Sequence, residues 1–374
     1  MGKVCTFRKG YGISKENLSS DGTPCILYGE LYTTYKTAIA KNIKSKTSLD
    51  PTILFHSKKN DVIIPCSGET AEDIATSVCI PYDDILLGGD LTVIRSDLDG
   101  AFLSNQINSV RKYDIARIAQ GKSIVHLQAD ELKKISIAYP TIDEQQKISG
   151  FIDQIDERIE VQNKIISDLK VLKKELCNKL FISSYCDKTI EIRQVANVYG
   201  GYAFNSKTYI SDGKYKIVTI GNVTGDKYIS GDYNRLDILP DNIQKQQILN
   251  NGDILISLTG NVGRISVVDG DNYLLNQRVA KLNVKNNLIK AYIYQYLSNS
   301  SFEKDMSNAG QGAAQKNIKN EDILSYNIRI PTSQTYLEKI DGLLSTYDKL
   351  IANEERILAN LYLQKSFLLN AMFI

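Results

Sequence analysis

The side chains with most to offer a ligand are basic, hydroxylated and aromatic, and they gather in two stretches of the chain. Tyr32-Thr33-Thr34-Tyr35-Lys36-Thr37 is followed at short intervals by Lys41, Lys44 and Lys46, with Arg95, Arg111 and Lys112 further on. In the second half, Tyr202, Asn205 and Lys207 precede Lys214, Tyr215, Lys216, Asn222, Lys227, Tyr228 and Arg235, and Asn276-Gln277-Arg278 comes later. Ammonium and guanidinium groups hold phosphates, while amides and hydroxyls exchange hydrogen bonds with base edges, so this mixture suits a nucleic-acid backbone and its bases. No catalytic set accompanies it: the chain has no Asn-Pro-Pro-aromatic run, no Walker lysine, no G-x-S-x-G and no carboxylate pair at a nuclease spacing. With only His56 and His126 present, imidazole-based metal or triad chemistry is disfavoured. Cys5, Cys25, Cys66, Cys79, Cys177 and Cys186 are scattered without a C-x-x-C pair, which reads as reduced thiols and not as zinc ligands or disulfides.

The elements that must position these residues are bounded by composition. A chain of 374 residues, 43% hydrophobic and 24% charged, buries two cores of ordinary size. Its formal net charge is only +2, so a surface that binds a polyanion must concentrate the basic residues on one side. No apolar run is long enough for a membrane span, and Met1-Gly2-Lys3-Val4-Cys5-Thr6 lacks the apolar core of a signal peptide, so a cytoplasmic location with no membrane partner is expected.

A shift of about 192 residues lays the second half of the chain over the first. Val4 to Ser14 falls over Val195 to Asn205, sharing Gly10-Tyr11 with Gly201-Tyr202. Asp61 to Gly68 falls over Asp253 to Gly260, and Gln120-Gly121, Leu127, Ile137 and Pro140 fall over Gln311-Gly312, Ile318, Ile328 and Pro331. Within each repeat, short Val/Ile/Tyr-rich runs alternate with Gly, Asp and Asn, which predicts a mixed α/β globule. Ile254 to Leu258 and Arg264 to Val268 predict a hairpin across Thr259-Gly260-Asn261-Val262-Gly263; that loop lacks the Lys-Ser/Thr of a phosphate cradle.

After Pro140 and Pro331 the apolar period becomes helical. Ile148, Ile152, Ile155, Ile159, Ile166, Leu169, Leu176 and Leu180 recur at steps of three and four, with Gln162 and Lys173 filling two seam positions. The second copy repeats this as Ile340, Leu344, Tyr347, Ile351, Leu358, Leu361, Leu368 and Met372, with Glu354 and Lys365 as its polar members. Such a heptad seam predicts that the two helices form a coiled coil with each other, the polar positions fixing register. A helix of about 38 residues is roughly 57 Å long. Antiparallel packing would set the globules at opposite ends about a pseudo-two-fold axis. The sequence thus predicts an α+β protein: residues 1-142 and 185-332 as globules, 143-184 and 333-374 as spacer helices. Duplex DNA presents two half-sites on one face about every 34 Å, so this form suits a two-part target.

A family resemblance rests on particular residues of this repeat. Gln120-Gly121 and Gln311-Gly312, each leading through a hydrophobic strand into proline, then Asp143-Glu144-Gln145-Gln146-Lys147-Ile148 opening a helix that ends Lys179-Leu180-Phe181, resemble the specificity subunit of type I restriction-modification enzymes. Gly10 to Ser14, Cys25 to Leu31, Gly252 to Leu255 and Asn276-Gln277 resemble its target recognition domains. The resemblance implies a non-catalytic subunit that reads a split site in double-stranded DNA and docks two adenine methyltransferase subunits, which motor-nuclease restriction subunits join. It implies no cofactor in this chain, with S-adenosylmethionine bound by the partner methyltransferase. Two departures stand out: the second helix opens Thr332-Ser333-Gln334-Thr335-Tyr336-Leu337 without the Glu-Gln pair of the first, and residues matching Lys188 to Gln194 are nearly absent from the first copy, which predicts an altered or frayed edge there. A specificity module of a related restriction or anti-phage complex, and a coiled-coil scaffold that reads no DNA, are the alternative readings.

Overall fold

The computed structural model describes residues 1–121, 124–310 and 316–373. The chain divides into two compact units, Met1–Lys164 with Arg356–Ile374, and Ile165–Glu355. Each unit therefore takes one globule, part of the long helix Ile142–Phe181 and part of the long helix Gln334–Met372.

In the first unit, the strands Cys5–Lys9, Leu91–Ser96, Asp61–Pro65 and Val78–Ile80 form an antiparallel sheet in that spatial order. Asp61–Pro65 is buried along its whole length, as a central strand covered on both faces must be. A second sheet runs Leu18–Ser19, Ser45–Thr47, Thr23–Ile26, Leu86–Leu87, its last two strands parallel. The second unit repeats the plan. Ala196–Gly200, Val279–Val284, Ile254–Ser257 and Ile265–Val267 form the antiparallel sheet, and a further sheet again contains one parallel pair, Tyr215–Val218 with Tyr273–Leu275. The predicted hairpin is present, with Ile254 opposite Val267 and positive φ at Gly260 and Gly263.

The shared glycine of the Gly-Tyr pair has a steric cause. A Cβ on Gly10 would lie 2.3 Å from the Gly88 carbonyl oxygen, and one on Gly201 would lie 2.0 Å from that of Asn276. Neither position accepts a side chain without moving backbone. The following tyrosines make matched bonds, Tyr11 N–H donating to the Leu87 carbonyl and Tyr202 N–H to that of Leu275.

The corresponding edges of the two units differ, and the first is tied down and not frayed. In the second unit, Lys188–Glu191 pairs with Asn327–Ile330, and Ile192 N–H donates to the Tyr326 carbonyl at 3.0 Å. In the first, Met1 is buried, and its amino group donates to the Ile135 carbonyl while Gly2 N–H donates to that of Lys133.

The long helices start differently. Glu144 reaches back to Thr141, just before the first helix, its carboxylate accepting from Thr141 N–H at 3.2 Å and from its hydroxyl at 2.8 Å. These bonds hold the Glu144 carboxyl below its ordinary pKa. Buried Gln145 then ties the helix to its globule, accepting from Asp99 N–H and donating to the Pro140 carbonyl. The second helix has no acidic residue in its first turn; Asp187 instead accepts from the Thr332 N–H and hydroxyl just before it.

The apolar seam residues of both helices are all buried or half-buried. In the first unit, Ile148 and Ile152 pack with Leu369, Met372 and Phe373 against Phe102, so the two helix segments run antiparallel. In the second, Leu176, Cys177, Leu180 and Phe181 pack with Leu337, Ile340 and Leu344 against Tyr292. The rings correspond: Phe102 lies 5.0 Å from Phe373, and Tyr292 lies 5.6 Å from Phe181.

A buried ion pair crosses the seam once in each unit. Lys365 Nζ lies 2.5 Å from Asp156 in the first, and Lys173 Nζ lies 2.5 Å from Asp348 in the second. Shifting the chain by about 192 residues carries Asp156 onto Asp348 and Lys173 onto Lys365, so one sequence pair is used twice with exchanged partners. Burial raises the Asp156 pKa, and Lys365 opposes that shift only in part. The folded state therefore holds this proton more tightly than the unfolded chain, and the residue's contribution to stability falls as pH rises through the window just above the ordinary carboxylate value. At neutral pH the pair still stabilises relative to leaving either charge alone. Asp156→Ala is expected to lower the unfolding free energy by about 3 kcal/mol, whereas replacing Asp156 and Lys365 together by leucine is expected to be close to neutral, both read by urea denaturation.

Candidate nucleic-acid interface

The basic residues of the first globule divide into bound and available ones. Lys36, Lys44 and Lys46 are exposed and Tyr32 is half-buried on the same stretch. Tyr35 is not available: it packs in the core with Ile26, Leu31 and Ala40, and burial drives its hydroxyl pKa far up. Lys41 reaches the first long helix instead of solvent, 2.7 Å from Asp153 and 2.7 Å from Glu157. Burial works against its charge, but the two carboxylates outweigh that and hold its pKa above that of an ordinary lysine.

Arg95 is also bound. Its Nε and Nη2 each lie 2.6 Å from a carboxylate oxygen of Asp61, which is fully buried, so that the guanidinium compensates the loss of water around it. The matched acid of the second unit, Asp253, takes its cation from Lys281 at 2.6 Å. Arg111 lies 3.7 Å from Asp114, and Lys112 is half-buried at the start of the short helix Lys112–Ile118. Tyr35, Lys41 and Arg95 thus leave the set of candidate contacts, because structure-building partners occupy them.

In the second globule, Tyr202 donates to Asn242 at 2.6 Å, and Asn205 accepts from Lys207 N–H, capping the turn Ser206–Thr208 while the Lys207 side chain stays exposed. Lys214 is exposed over the Tyr215 ring, and Lys216 lies 5.0 Å from the Tyr273 ring centroid. Arg235 donates to the Gly213 carbonyl at 3.4 Å, which supports the loop it borders. Lys227 sits over Tyr228 and 3.9 Å from Asp348, beside a cavity of about 720 Å³ that Lys170, Lys173 and Lys174 also line. Arg278 is exposed.

Around Arg278 the fold gathers residues that sequence reasoning missed. Thr259, Asn317, Lys319 and Asn320 join Gln277 and Arg278 in lining one polar recess, and Asn261, Lys304 and Lys316 line the next. They come from separate segments, so no single stretch of sequence announces them. Gln311-Gly312 lies outside the described residues, while Gln120 is paired with His126 by mutual backbone hydrogen bonds.

Nothing in the described residues groups histidine, cysteine and carboxylate side chains as metal ligands. The cysteines are free, and burial raises the Cys25 and Cys177 thiols to about 11 and the Cys79 thiol to about 12, which keeps them protonated and unreactive. No helix among the described residues is long and apolar enough to cross a membrane.

This repeated arrangement is matched by a family model for the type I restriction modification DNA specificity domain, once over residues 1–171 and again over residues 188–362. The chain belongs to that family. Its fold is shared by the type I restriction-modification S subunit from M. genitalium, with a TM-score of 0.62 at 17% identity over 100% of this chain and 94% of that one. A second solved chain, from work on complex assembly and conformational transition of the type I R-M system, has a TM-score of 0.58 at 16% identity, covering 99% of this chain and 95% of that one. Within the family fold, the separation of structural from available cations is open to direct measurement. Arg95→Ala strands a buried carboxylate and is expected to cost about 3–5 kcal/mol of unfolding free energy. Lys112→Ala, on the same globule, is expected to change it by less than about 0.5 kcal/mol in the same denaturation experiment.

Proposed function

We propose that this chain is the non-catalytic, sequence-reading subunit of a type I restriction-modification enzyme. In this reading, residues 1-142 and 185-332 are two target recognition domains, each contacting one part of a split site in double-stranded DNA. Residues 143-184 and 333-374 are the spacer helices that set the distance between those parts. The observation that carries the reading is the repetition of one globule-and-helix unit with unlike polar surfaces on a common backbone. A single reader used twice would need such divergence to recognise two different half-sites.

The available cations suit phosphate binding: Lys36, Lys44 and Lys46 in the first domain, and Lys207 and Lys214 in the second. For the recruitment of two adenine methyltransferase subunits, the support is an apolar stripe left on the outside of each long helix. Phe151, Ile165 and Leu172 are exposed at multiples of seven residues, as are Tyr336, Leu343, Leu350 and Ile357. That spacing is a second heptad seam, suited to a further helix. S-adenosylmethionine and the methyl-transfer chemistry belong to those partners, and the motor-nuclease subunits join the same assembly.

The deciding experiment is methylation sequencing of DNA from cells carrying the chain with its methyltransferase. A split, adenine-containing motif is expected, and adenine methylation unchanged by deletion of the chain overturns the proposal. Reversing the charge of Lys36, Lys44 and Lys46 together is expected to weaken DNA binding at least about tenfold at moderate salt. The slope of log affinity against log salt should become shallower by about 0.9 for each phosphate that the variant no longer neutralises.

A further inference from the structure

We propose that a polar recess repeated at the same place in both units is where base identity is read, with Asp90 and Arg278 as the matched residues that make the two halves of the target differ. The proposal rests on the sequence-reading function above and locates it on particular atoms.

The recess of the first unit, about 250 Å³, is lined by Arg8, Lys9, Asp90, Thr92, His126 and Gln128 among others. That of the second, about 500 Å³, is lined by Thr259, Gln277, Arg278, Asn317, Lys319 and Asn320. Their frames are the same. Cys66 N–H donates to the Asp90 carbonyl at 2.7 Å, and Leu258 N–H donates to the Arg278 carbonyl at 3.0 Å. Leu127 N–H donates to the Cys66 carbonyl at 2.9 Å, and Ile318 N–H donates to the Leu258 carbonyl at 2.9 Å. His126 is paired with Ser67 just as Asn317 is bridged to Thr259.

On this common frame Leu127 and Ile318 are alike, but four polar or rim positions differ. A carboxylate at Asp90 takes the place of a guanidinium at Arg278, His126 stands for Asn317, Gln128 for Lys319, and Ala129 for Asn320. A cleft that served packing alone would have no reason to hold its backbone fixed while exchanging anionic for cationic chemistry at one position. Reading two different base pairs through one geometry requires just that exchange. A carboxylate accepts from the cytosine N4 amine, whereas a guanidinium donates to guanine O6 and N7.

Both groups are placed for an external partner. Asp90 is exposed, and its only hydrogen bond among the described side chains is a long one, 3.3 Å, from the Ser67 hydroxyl. Arg278 is exposed and has no ion pair among the described residues. Arg8 and Lys9, exposed at the rim of the first recess, provide cations for the flanking phosphates. This differs from Arg95 and Lys41, whose charges the fold itself neutralises.

The test uses the full complex with its methyltransferase and two single substitutions, Asp90→Asn and Arg278→Gln, assayed by methylation sequencing. Asp90 has a positive φ of 57°, which asparagine also tolerates, so the first substitution keeps the turn. Each variant is expected to relax one base position in one half of the motif, the two variants acting on different halves. Discrimination there should fall roughly tenfold to a hundredfold, with the spacer unchanged. The inference is overturned if the wild-type complex methylates a split motif and both variants retain every base of it, or if both lower methylation uniformly with base preference intact. Absence of a split motif with the wild-type complex overturns the sequence-reading function itself.

Discussion

A carboxylate placed inside a seam of isoleucine and leucine is tolerable only where a cation meets it, and that constraint governs how the two long helices fit. Apolar heptads alone specify register weakly, because a slide of seven residues brings one aliphatic layer against the next. The pairs Asp156–Lys365 and Asp348–Lys173 remove that freedom. A slide by one heptad would set Asp156 against Leu358 or Met372 and leave both charges buried without partners. Register in turn decides where each helix meets its globule, so the packing of Phe102 on Phe373, and of Tyr292 on Phe181, depends on the same ion pairs.

The duplication is a repetition of backbone and of packing logic more than of side chains. Asp61 and Asp253 occupy matched strand starts, yet one is neutralised by Arg95 and the other by Lys281, from positions that do not correspond. The requirement is that a buried acid be paired; which neighbouring strand residue does so is free to vary. Glycines obey a stricter rule, because Gly10 and Gly201 face backbone atoms and no side chain can be accommodated at either. Hence the Gly-Tyr pair survives in both copies where almost everything around it has changed.

The same distinction separates what is legible in the sequence from what is not. The repeat, the helical seam and the hairpin at Thr259–Gly263 are legible because each is written as a spacing along the chain. Lys173 and Lys365 are visible as polar members of the seam, but nothing along the chain marks Asp156 and Asp348, adjacent in sequence to seam residues, as their partners, because the register between helices is a tertiary fact. Individual ligand contacts are the least legible feature for the same reason. Lys41 and its partner Asp153 are 112 residues apart, and Arg95 and Asp61 are 34 apart, so a basic side chain used for structure looks in sequence like one available to a ligand. The recess around Arg278 is hidden because it draws on strand ends and loops that are distant in sequence.

The unequal helix starts show where such divergence can be tolerated. In the first copy, the Glu144 carboxylate accepts from the Thr141 amide and hydroxyl, and Gln145 binds the helix to Asp99 and Pro140. In the second, the Glu-Gln pair is missing, and Asp187, reaching in from outside the helix, takes hold of Thr332. In both arrangements, a carboxylate accepts from the amide and hydroxyl of a threonine just before the helix. They nevertheless leave different surfaces, acidic and amide-rich at one start, hydroxyl- and tyrosine-rich at the other. A partner that touches the first turn therefore meets two chemically distinct sites on what is otherwise a repeated scaffold. What the outer surfaces of the two long helices do share is exposed apolar residues at matched points, Phe151 with Leu343 and Ile165 with Ile357, which the helix starts do not supply.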